Sequence, residues 1–257
     1  MSLNNYHTHS RYVDGRDRPE EMIRQAIALG CEELGFSEHA YVPFDDCCMT
    51  PESTEAYKRE IRALGEKYAD RIRILLGVEQ DYYSPLPTED YAYVIGSVHY
   101  LYRDGVYLTV DHTREKQIRF VREHYDGDCY AFAEHYYKMV GEIFDRTHCD
   151  IVGHFDLVTK FNEDGSLFDT SHPRYRAAAL AALDRLCECP VIFEINTGAI
   201  ARGYRKTPYP EAFLLEELRR RKKPLILSSD CHDRRFLLCG LNELKQRVPE
   251  VREKIFG

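Results

Sequence analysis

Short apolar runs and longer amphipathic stretches alternate along the chain, and this alternation predicts its secondary structure. Each apolar run is rich in β-branched and large side chains, and a polar residue and then a helical pattern follow it. The predicted strands cover residues 5–9, 33–37, 72–78, 93–98, 150–153, 191–195 and 225–228. This order is typical of βα units, in which the crossover helices make neighbouring strands parallel.

The helices between these strands have recognisable starts and stops. Pro19 opens the first helix at a position where its missing N–H is not needed, and Gly30 ends it. Further helices are predicted over residues 51–68, 114–124, 130–146, 173–187 and 210–221. No repeat or Pro/Gly-rich linker divides the pattern, so we expect one α/β domain over residues 1–257, built as a closed or nearly closed barrel.

Composition narrows the class of protein. With 257 residues and 44% apolar content, the chain can bury a full core. No stretch approaches the roughly 20 apolar residues of a membrane span, and the polar start lacks the apolar region of a signal peptide, so we expect a cytoplasmic protein. The nine cysteines form no CxxC pair, which favours free thiols in a reducing compartment.

The charge balance disfavours a nucleic-acid partner. Asp and Glu total 43 against 35 Lys and Arg, for a formal charge of -8, whereas nucleic-acid binding usually needs a basic face. The same excess is compatible with a cation-rich centre if the acidic residues converge.

Nearly every predicted strand ends in a residue that can bind a metal ion or polarise a substrate. In strand order these residues are His7 and His9, Glu38 and His39, Glu79, His99, His154, Asn196, and Asp230 with His232. In parallel barrels the C-terminal ends of the strands form the active site. A single strand-end histidine is more often structural, but the joint pattern predicts a metal centre.

The spacing of these residues has a physical interpretation. Residues two apart in a strand point to the same face, so the pair His7 and His9 can bind one ion together, as can the pair Asp230 and His232. Imidazole and carboxylate ligands suit zinc, iron and manganese, and a carboxylate such as Glu79 can bridge two ions. A bridging hydroxide would then be the nucleophile.

The remaining histidines are expected to lie outside the centre. His124, His135 and His148 fall in helical or turn segments, and His172 precedes Pro173 as a helix-start residue. His112 is interpreted as an ordinary loop residue, with a position over the site as the alternative.

The strand-end residues lie in motifs that resemble a known superfamily. The motifs are His7-Thr8-His9-Ser10 with Asp14-Gly15, Gly35-Phe36-Ser37-Glu38-His39, Gly77-Val78-Glu79, Ile95-Gly96-Ser97-Val98-His99, Gly153-His154 and Ser229-Asp230-Cys231-His232. Their order resembles that of the polymerase-and-histidinol-phosphatase (PHP) superfamily. The chain length and the segment Glu194-Ile195-Asn196-Thr197 resemble its histidinol-phosphatase branch.

The resemblance implies a distorted (β/α)7 TIM-like barrel with two to three divalent ions of zinc, iron or manganese. The ligands it implies are His7, His9, Glu79 and Asp230 for the first ion, Glu79, His99 and His154 for the second, and Asp14, His39 and His232 for the third. Among these, Glu79, His99 and Asp230 are the expected catalytic residues.

The implied activity is hydrolysis of a phosphate monoester, L-histidinol phosphate. We expect Arg202, Lys160 and Arg205 to bind the phosphoryl group, because a dianion attracts basic side chains. Candidates for binding the histidinol portion are Glu38, Asp156, Tyr41 and Tyr82.

Three other functions stay open from the sequence. A phosphatase of the same superfamily could act on a nucleotide or sugar phosphate, a nuclease module could use the same centre, and a scaffold protein could bind metal without turnover. The acidic balance argues against the nuclease. We therefore expect a small-molecule phosphate ester as partner, with no nucleic acid or membrane, and the sequence does not fix the oligomeric state.

Overall fold

A curled parallel sheet forms the centre of the protein, whose computed structural model describes residues 3–256. The sheet contains β1 (Glu33–Phe36), β2 (Arg73–Asp81), β3 (Tyr93–Ser97), β6 (Ile151–Val152), β7 (Ile192–Asn196) and β8 (Leu225–Ser228), hydrogen-bonded in that order. All neighbouring pairs are parallel. The predicted distorted barrel is thus confirmed, with six of the seven predicted strands in the sheet.

The segment predicted as the first strand, residues 5–9, is not a regular strand. Its first half pairs with β1 through a bridge between Asn5 and Leu34, and its second half pairs with the chain after β8 through a bridge between Thr8 and Cys231. The segment therefore spans the gap between the two edges of the sheet. It forms only a few backbone hydrogen bonds with each neighbour, and these make isolated bridges rather than a continuous ladder.

The helices cover the outside of this sheet. Their bounds are α1 (Pro19–Ala28), α2 (Pro51–Lys67), α3 (Arg114–His124), α4 (Cys129–Gly141), α5 (Ile143–Thr147), α6 (Pro173–Cys187), α7 (Gly198–Ala201), α8 (Ala212–Arg220) and α9 (Leu241–Arg247). The helix predicted over residues 130–146 is two helices, α4 and α5, which meet at Glu142. Near this break Gly141 lies against Ala182 of α6, where an added side chain would be crowded.

A hairpin that the sequence analysis did not predict follows β3 directly. It consists of β4 (Tyr100–Arg103) and β5 (Val106–Thr109), which pair antiparallel. Asp104 and Gly105 form its turn, with φ angles of 52° and 82°. An Asp-Gly pair between alternating apolar residues is a known hairpin signal, because both turn positions need positive φ.

Side chains that face the inside of the barrel change from apolar to polar along each strand. At the lower end Leu75, Tyr93, Ile151, Ile192 and Ile226 pack together as one buried cluster. Since alternate residues share a face, the same faces continue upward to charged and polar side chains at the strand ends. The interior of the barrel below the ligand-rich rim is therefore apolar. Within residues 3–256 we find no helix long and apolar enough to cross a membrane.

Candidate metal centre and substrate cavity

Glu79 lies at the centre of the rim, on β2, and histidines surround its carboxylate. Its Oε1 lies 3.0 Å from Nε2 of His154 and 3.3 Å from Nε2 of His99. Its Oε2 lies 2.8 Å from Nδ1 of His39 and 3.2 Å from Nε2 of His7. One carboxylate thus joins side chains that come from five separate stretches of the chain.

All nine predicted metal ligands meet at this rim. Four groups have ligand atoms within 4.8 Å of one another: His9, Asp14, His39 and His232; His7, His9 and Asp230; His7, Glu79 and His154; and His39, Glu79 and His99. These groups overlap closely with the three ligand sets that the resemblance implies. Two differences stand out: His99 and His154 fall in separate groups, each with Glu79, and His39 contacts both Glu79 and the outer group.

The donor set fits divalent metal ions. Nε2 of His7, both ring nitrogens of His9 and Oε2 of Glu79 are buried and form no hydrogen bond among the described residues. Ligands about 2.0–2.2 Å from one zinc ion lie roughly 3–3.6 Å apart, and the nitrogen–oxygen distances around Glu79 fall close to that range. Buried polar atoms that lie this close without hydrogen bonds are the arrangement that shared ions satisfy.

The ionisable side chains of the rim shift one another's pKa values. Burial by itself raises the pKa of Glu79, but His7, His39 and His99 hold that pKa well below its usual value. Burial lowers the pKa of His9 to about 3, with help from His39 and His232. His9 is therefore neutral, which is the form of imidazole that binds metal.

Asp14 and His232 form the outer part of the cluster, beside the mouth of the cavity. Oδ2 of Asp14 lies 3.2 Å from Nε2 of His232, and the Asp14 side chain is 45% exposed. The next residue, Gly15, lies so close to the backbone of His9 and Ser10 that any side chain would collide there. The glycine thus allows the turn that brings Asp14 back over His9.

Glu194 supports the cluster from behind, and the sequence analysis did not single it out. Its Oε1 lies 2.7 Å from Nδ1 of His7, and its Oε2 accepts hydrogen bonds from the backbone N–H of His154 and the side chain of Asn196. A carboxylate that binds the second nitrogen of a ligand histidine fixes its ring orientation and tautomer. The position could have been found, since Glu194 precedes Asn196 by two residues and shares its face of β7.

A cavity of about 200 Å³ opens above the cluster. Seven of the predicted ligands line this cavity: Asp14, His39, Glu79, His99, His154, Asp230 and His232. The other lining residues are Ala40, Asp45, Cys47, Cys48, Asp81, Tyr100, Thr109, Asp111, His112, Leu157, Lys160 and Arg202. The interpretation of His112 as an ordinary loop residue was therefore wrong, because the hairpin and the loop after it carry this residue over the site.

The three predicted phosphate-binding residues differ in position. Arg202 lines the cavity, where its Nη2 donates a hydrogen bond to Asp230 at 2.9 Å. Lys160 also lines it, with Nζ 2.9 Å from the carboxylate of Asp111. Arg205 is buried and absent from the lining, since its guanidinium donates to Thr159 and Thr207. Its position does not support the prediction that it binds phosphate.

The side chains predicted to bind the histidinol portion are not among the residues that line the cavity. Glu38 accepts hydrogen bonds from Ser10, Asp156 accepts one from the backbone of Glu211, and Tyr82 donates to Glu142. Tyr41 is partly exposed outside the lining. The positions of these four side chains therefore do not support the predictions.

Other predictions about histidine and cysteine agree with the structure. His172 is the N-cap of α6, and His124, His135 and His148 belong to none of the four ligand groups among the described residues. All nine cysteines are free thiols.

Comparisons with known proteins agree with this fold and site. Residues 5–198 match the PHP domain family. A histidinol-phosphatase of Bacillus subtilis is 27% identical over 90% of this chain and 94% of its own length. A candidate histidinol-phosphatase of Deinococcus radiodurans is 31% identical over 83% of this chain and 80% of its own.

A solved structure has the same fold. The crystal structure of histidinol phosphate phosphatase from Lactococcus lactis, in complex with zinc, L-histidinol and phosphate, superimposes with a TM-score of 0.68 at 21% identity. The match covers 96% of this chain and 93% of that one. Given the matched motifs, the shared fold and the ligand-rich rim, the chain belongs to the PHP domain family, in its histidinol-phosphatase branch.

Proposed function

We propose that this protein is a metal-dependent phosphomonoesterase that hydrolyses L-histidinol phosphate to L-histidinol and phosphate. The observation that carries the proposal is the convergence of nine candidate metal ligands, Glu79 and eight others, beneath one cavity. The relatives named histidinol-phosphatase support the choice of substrate, as does the Lactococcus lactis protein, which binds zinc, L-histidinol and phosphate.

The candidate metal ligands lie in the four groups at the rim. The resemblance assigns His7, His9, Asp230 and Glu79 to one ion, Glu79, His99 and His154 to a second, and Asp14, His39 and His232 to a third; the overlapping groups at the rim support a shared centre built from these nine side chains. Divalent ions bound there would supply a water nucleophile at neutral pH and neutralise the charge of the phosphoryl group. Zinc suits the mixed imidazole and carboxylate donors, and iron and manganese suit them also.

Two cations of this chain are placed to orient the substrate. The guanidinium of Arg202 and the ammonium of Lys160 both line the cavity that the cluster underlies. Each lies against a carboxylate, Asp230 or Asp111, which holds the cation at the cavity wall. A guanidinium offers two parallel N–H groups to phosphate oxygens, so Arg202 is suited to bind the phosphoryl group.

Parallel kinetics and elemental analysis of one preparation test this proposal. We expect at least two transition-metal ions per chain, and a kcat/KM for L-histidinol phosphate well above that for p-nitrophenyl phosphate, a sugar phosphate or a nucleotide. The apo-protein made by chelation is expected to lose this activity and regain it when zinc or manganese is restored.

Different outcomes remove different parts of the proposal. One ion or fewer per chain in an active preparation would contradict the multinuclear centre. Equal turnover of all the esters would leave a general phosphatase. Digestion of a labelled oligonucleotide, with no hydrolysis of small esters, would support the nuclease alternative.

A further inference from the structure

Most carboxylates that line the cavity already have a cationic or structural partner. Oδ2 of Asp81 accepts the backbone N–H of His99, and its Oδ1 accepts the N–H of Tyr83. Asp111 forms an ion pair with Lys160. Asp14, Glu79 and Asp230 belong to the metal cluster. None of these five carboxylates is free to bind a second cation.

Asp45 is different. It lines the same cavity, yet among residues 3–256 no Lys, Arg or His nitrogen lies within 4.0 Å of its carboxylate. Its partners are neutral: the phenol of Tyr100 donates to Oδ2 at 2.6 Å, and the backbone N–H of Cys47 donates to Oδ1 at 2.7 Å. Partial burial raises the pKa of Asp45, but the hydrogen bonds from Tyr100 and Cys47, together with the charge of the more distant His39, bring that pKa below its usual value, so the group is negative at neutral pH.

Aromatic packing fixes the loop that carries Asp45. The ring of Phe44 stacks on Tyr107 of the hairpin, with centroids 3.5 Å apart and planes within 8° of parallel. It also meets Tyr100 edge-on at 5.0 Å. The loop over residues 41–49 is thereby joined to the β4–β5 hairpin, and the Asp45 carboxylate is held at the cavity wall rather than in bulk water.

We propose that Asp45 binds the cationic part of the substrate alcohol, an ammonium or imidazolium group, and that Tyr100 is its positioning residue. This inference rests on the proposed function and names the source of its substrate preference. The metal cluster and Arg202 bind a group that every phosphate monoester carries, so they cannot separate one ester from another. A negative carboxylate that forms no ion pair with a described residue, in the same cavity, supplies that discrimination.

The main test compares two substrates in one variant. Asp45→Asn keeps the shape and an acceptor for Tyr100 while removing the charge. Its kcat/KM for L-histidinol phosphate is expected to fall about tenfold or more, chiefly through KM, because a charge-assisted hydrogen bond is lost. Its kcat/KM for p-nitrophenyl phosphate, which carries no cation, is expected to stay within about twofold of the wild type.

The chain offers a matched control. Asp46 is the next residue, is exposed and does not line the cavity, so Asp46→Asn is expected to leave both substrates unaffected. Tyr100→Phe removes only the hydroxyl that orients Asp45, and it is expected to lower kcat/KM for L-histidinol phosphate by a smaller factor than Asp45→Asn. Metal content should be unchanged in all three variants.

The outcomes separate this inference from the proposed function. If the wild type does not hydrolyse L-histidinol phosphate, the proposed function fails. If the wild type does, and Asp45→Asn retains full kcat/KM, the role of Asp45 is overturned alone. Parallel loss of both substrates, or loss of metal, would also overturn it, since Asp45 would then act on the fold or the cluster.

Discussion

The floor and the wall of the cavity are built in different ways. The floor is the ligand cluster around Glu79, and its most buried members are His7, His9, Glu79 and His154. Glu79 lies on β2, His154 follows β6, and His7 and His9 lie in the segment that closes the sheet. The wall consists of the loop over residues 41–49 and the β4–β5 hairpin, whose aromatic residues Tyr102 and Tyr107 are 49% and 40% exposed. Backbone pairing within the central sheet fixes the floor, whereas side-chain stacking joins the loop and the hairpin that form the wall.

This difference indicates that the floor and the wall serve different functions. Strands place ligands to within the tolerance of a metal site, because their hydrogen-bond registers leave little freedom. Loops change more easily without disturbing the core, and they commonly carry the groups that choose a substrate. Changes to the floor should therefore reduce activity on every ester, and changes to the wall should affect only the preferred one.

The largest effect is expected for Glu79→Gln. Its carboxylate lies against His7, His39, His99 and His154, so removing its charge should lower kcat for all phosphate esters by more than about a hundredfold and reduce bound metal. Kinetics and elemental analysis measure this directly. The control is Glu250→Gln, at an exposed surface ion pair with Arg219. Equal activity in the two variants would remove Glu79 from the centre.

The next largest effect is expected for Glu194→Gln, which tests the support beneath the floor. Loss of the carboxylate that holds Nδ1 of His7 should weaken metal binding or activity by about 10- to 100-fold. Titration of the apo-protein with zinc measures the affinity, and Glu188→Gln, at an exposed position after α6, serves as control. An unchanged zinc affinity and activity would show that His7 needs no such partner.

Arg202→Ala should have an intermediate effect on every ester. Removing a charge-assisted contact to phosphate is expected to lower kcat/KM about tenfold or more while metal content stays the same. Arg220→Ala, at an exposed position on α8, is the matched control. A normal kcat/KM would mean that Arg202 is only a structural partner of Asp230. Loss of metal would mean that the substitution disturbs the metal ligands of the floor.

The smallest effect is expected for Tyr107→Ala, which loosens the wall. Stacking between aromatic rings contributes about 0.5–1.5 kcal/mol, so kcat/KM for L-histidinol phosphate should fall by roughly two- to tenfold. Hydrolysis of p-nitrophenyl phosphate should be unchanged, as should both activities in Leu29→Ala, an exposed position elsewhere. If both esters are affected equally, the floor and the wall are not independent.

The sequence predicted the floor because strand periodicity carries that information. Apolar runs located the strands, and the polar residues after these runs include eight of the nine candidate ligands that fall in the observed groups. The ninth, Asp14, was predicted from the family resemblance alone. The same alternation places Glu194, two residues before Asn196, on the same face of β7. Glu194 was not predicted because it does not lie at the end of the strand. Regular backbone geometry connects sequence spacing to position in space, so local pattern is sufficient there.

Only the tertiary structure shows which residues form the wall of the cavity and which of the predicted phosphate-binding residues reach it. Asp45, Asp111 and His112 reach the cavity through a loop and a hairpin, whose paths depend on contacts such as that between Phe44 and Tyr107. Arg205 follows Arg202 by three residues, yet Thr159 binds its guanidinium away from the cavity. Irregular segments have no fixed period, so distant packing determines where their side chains point.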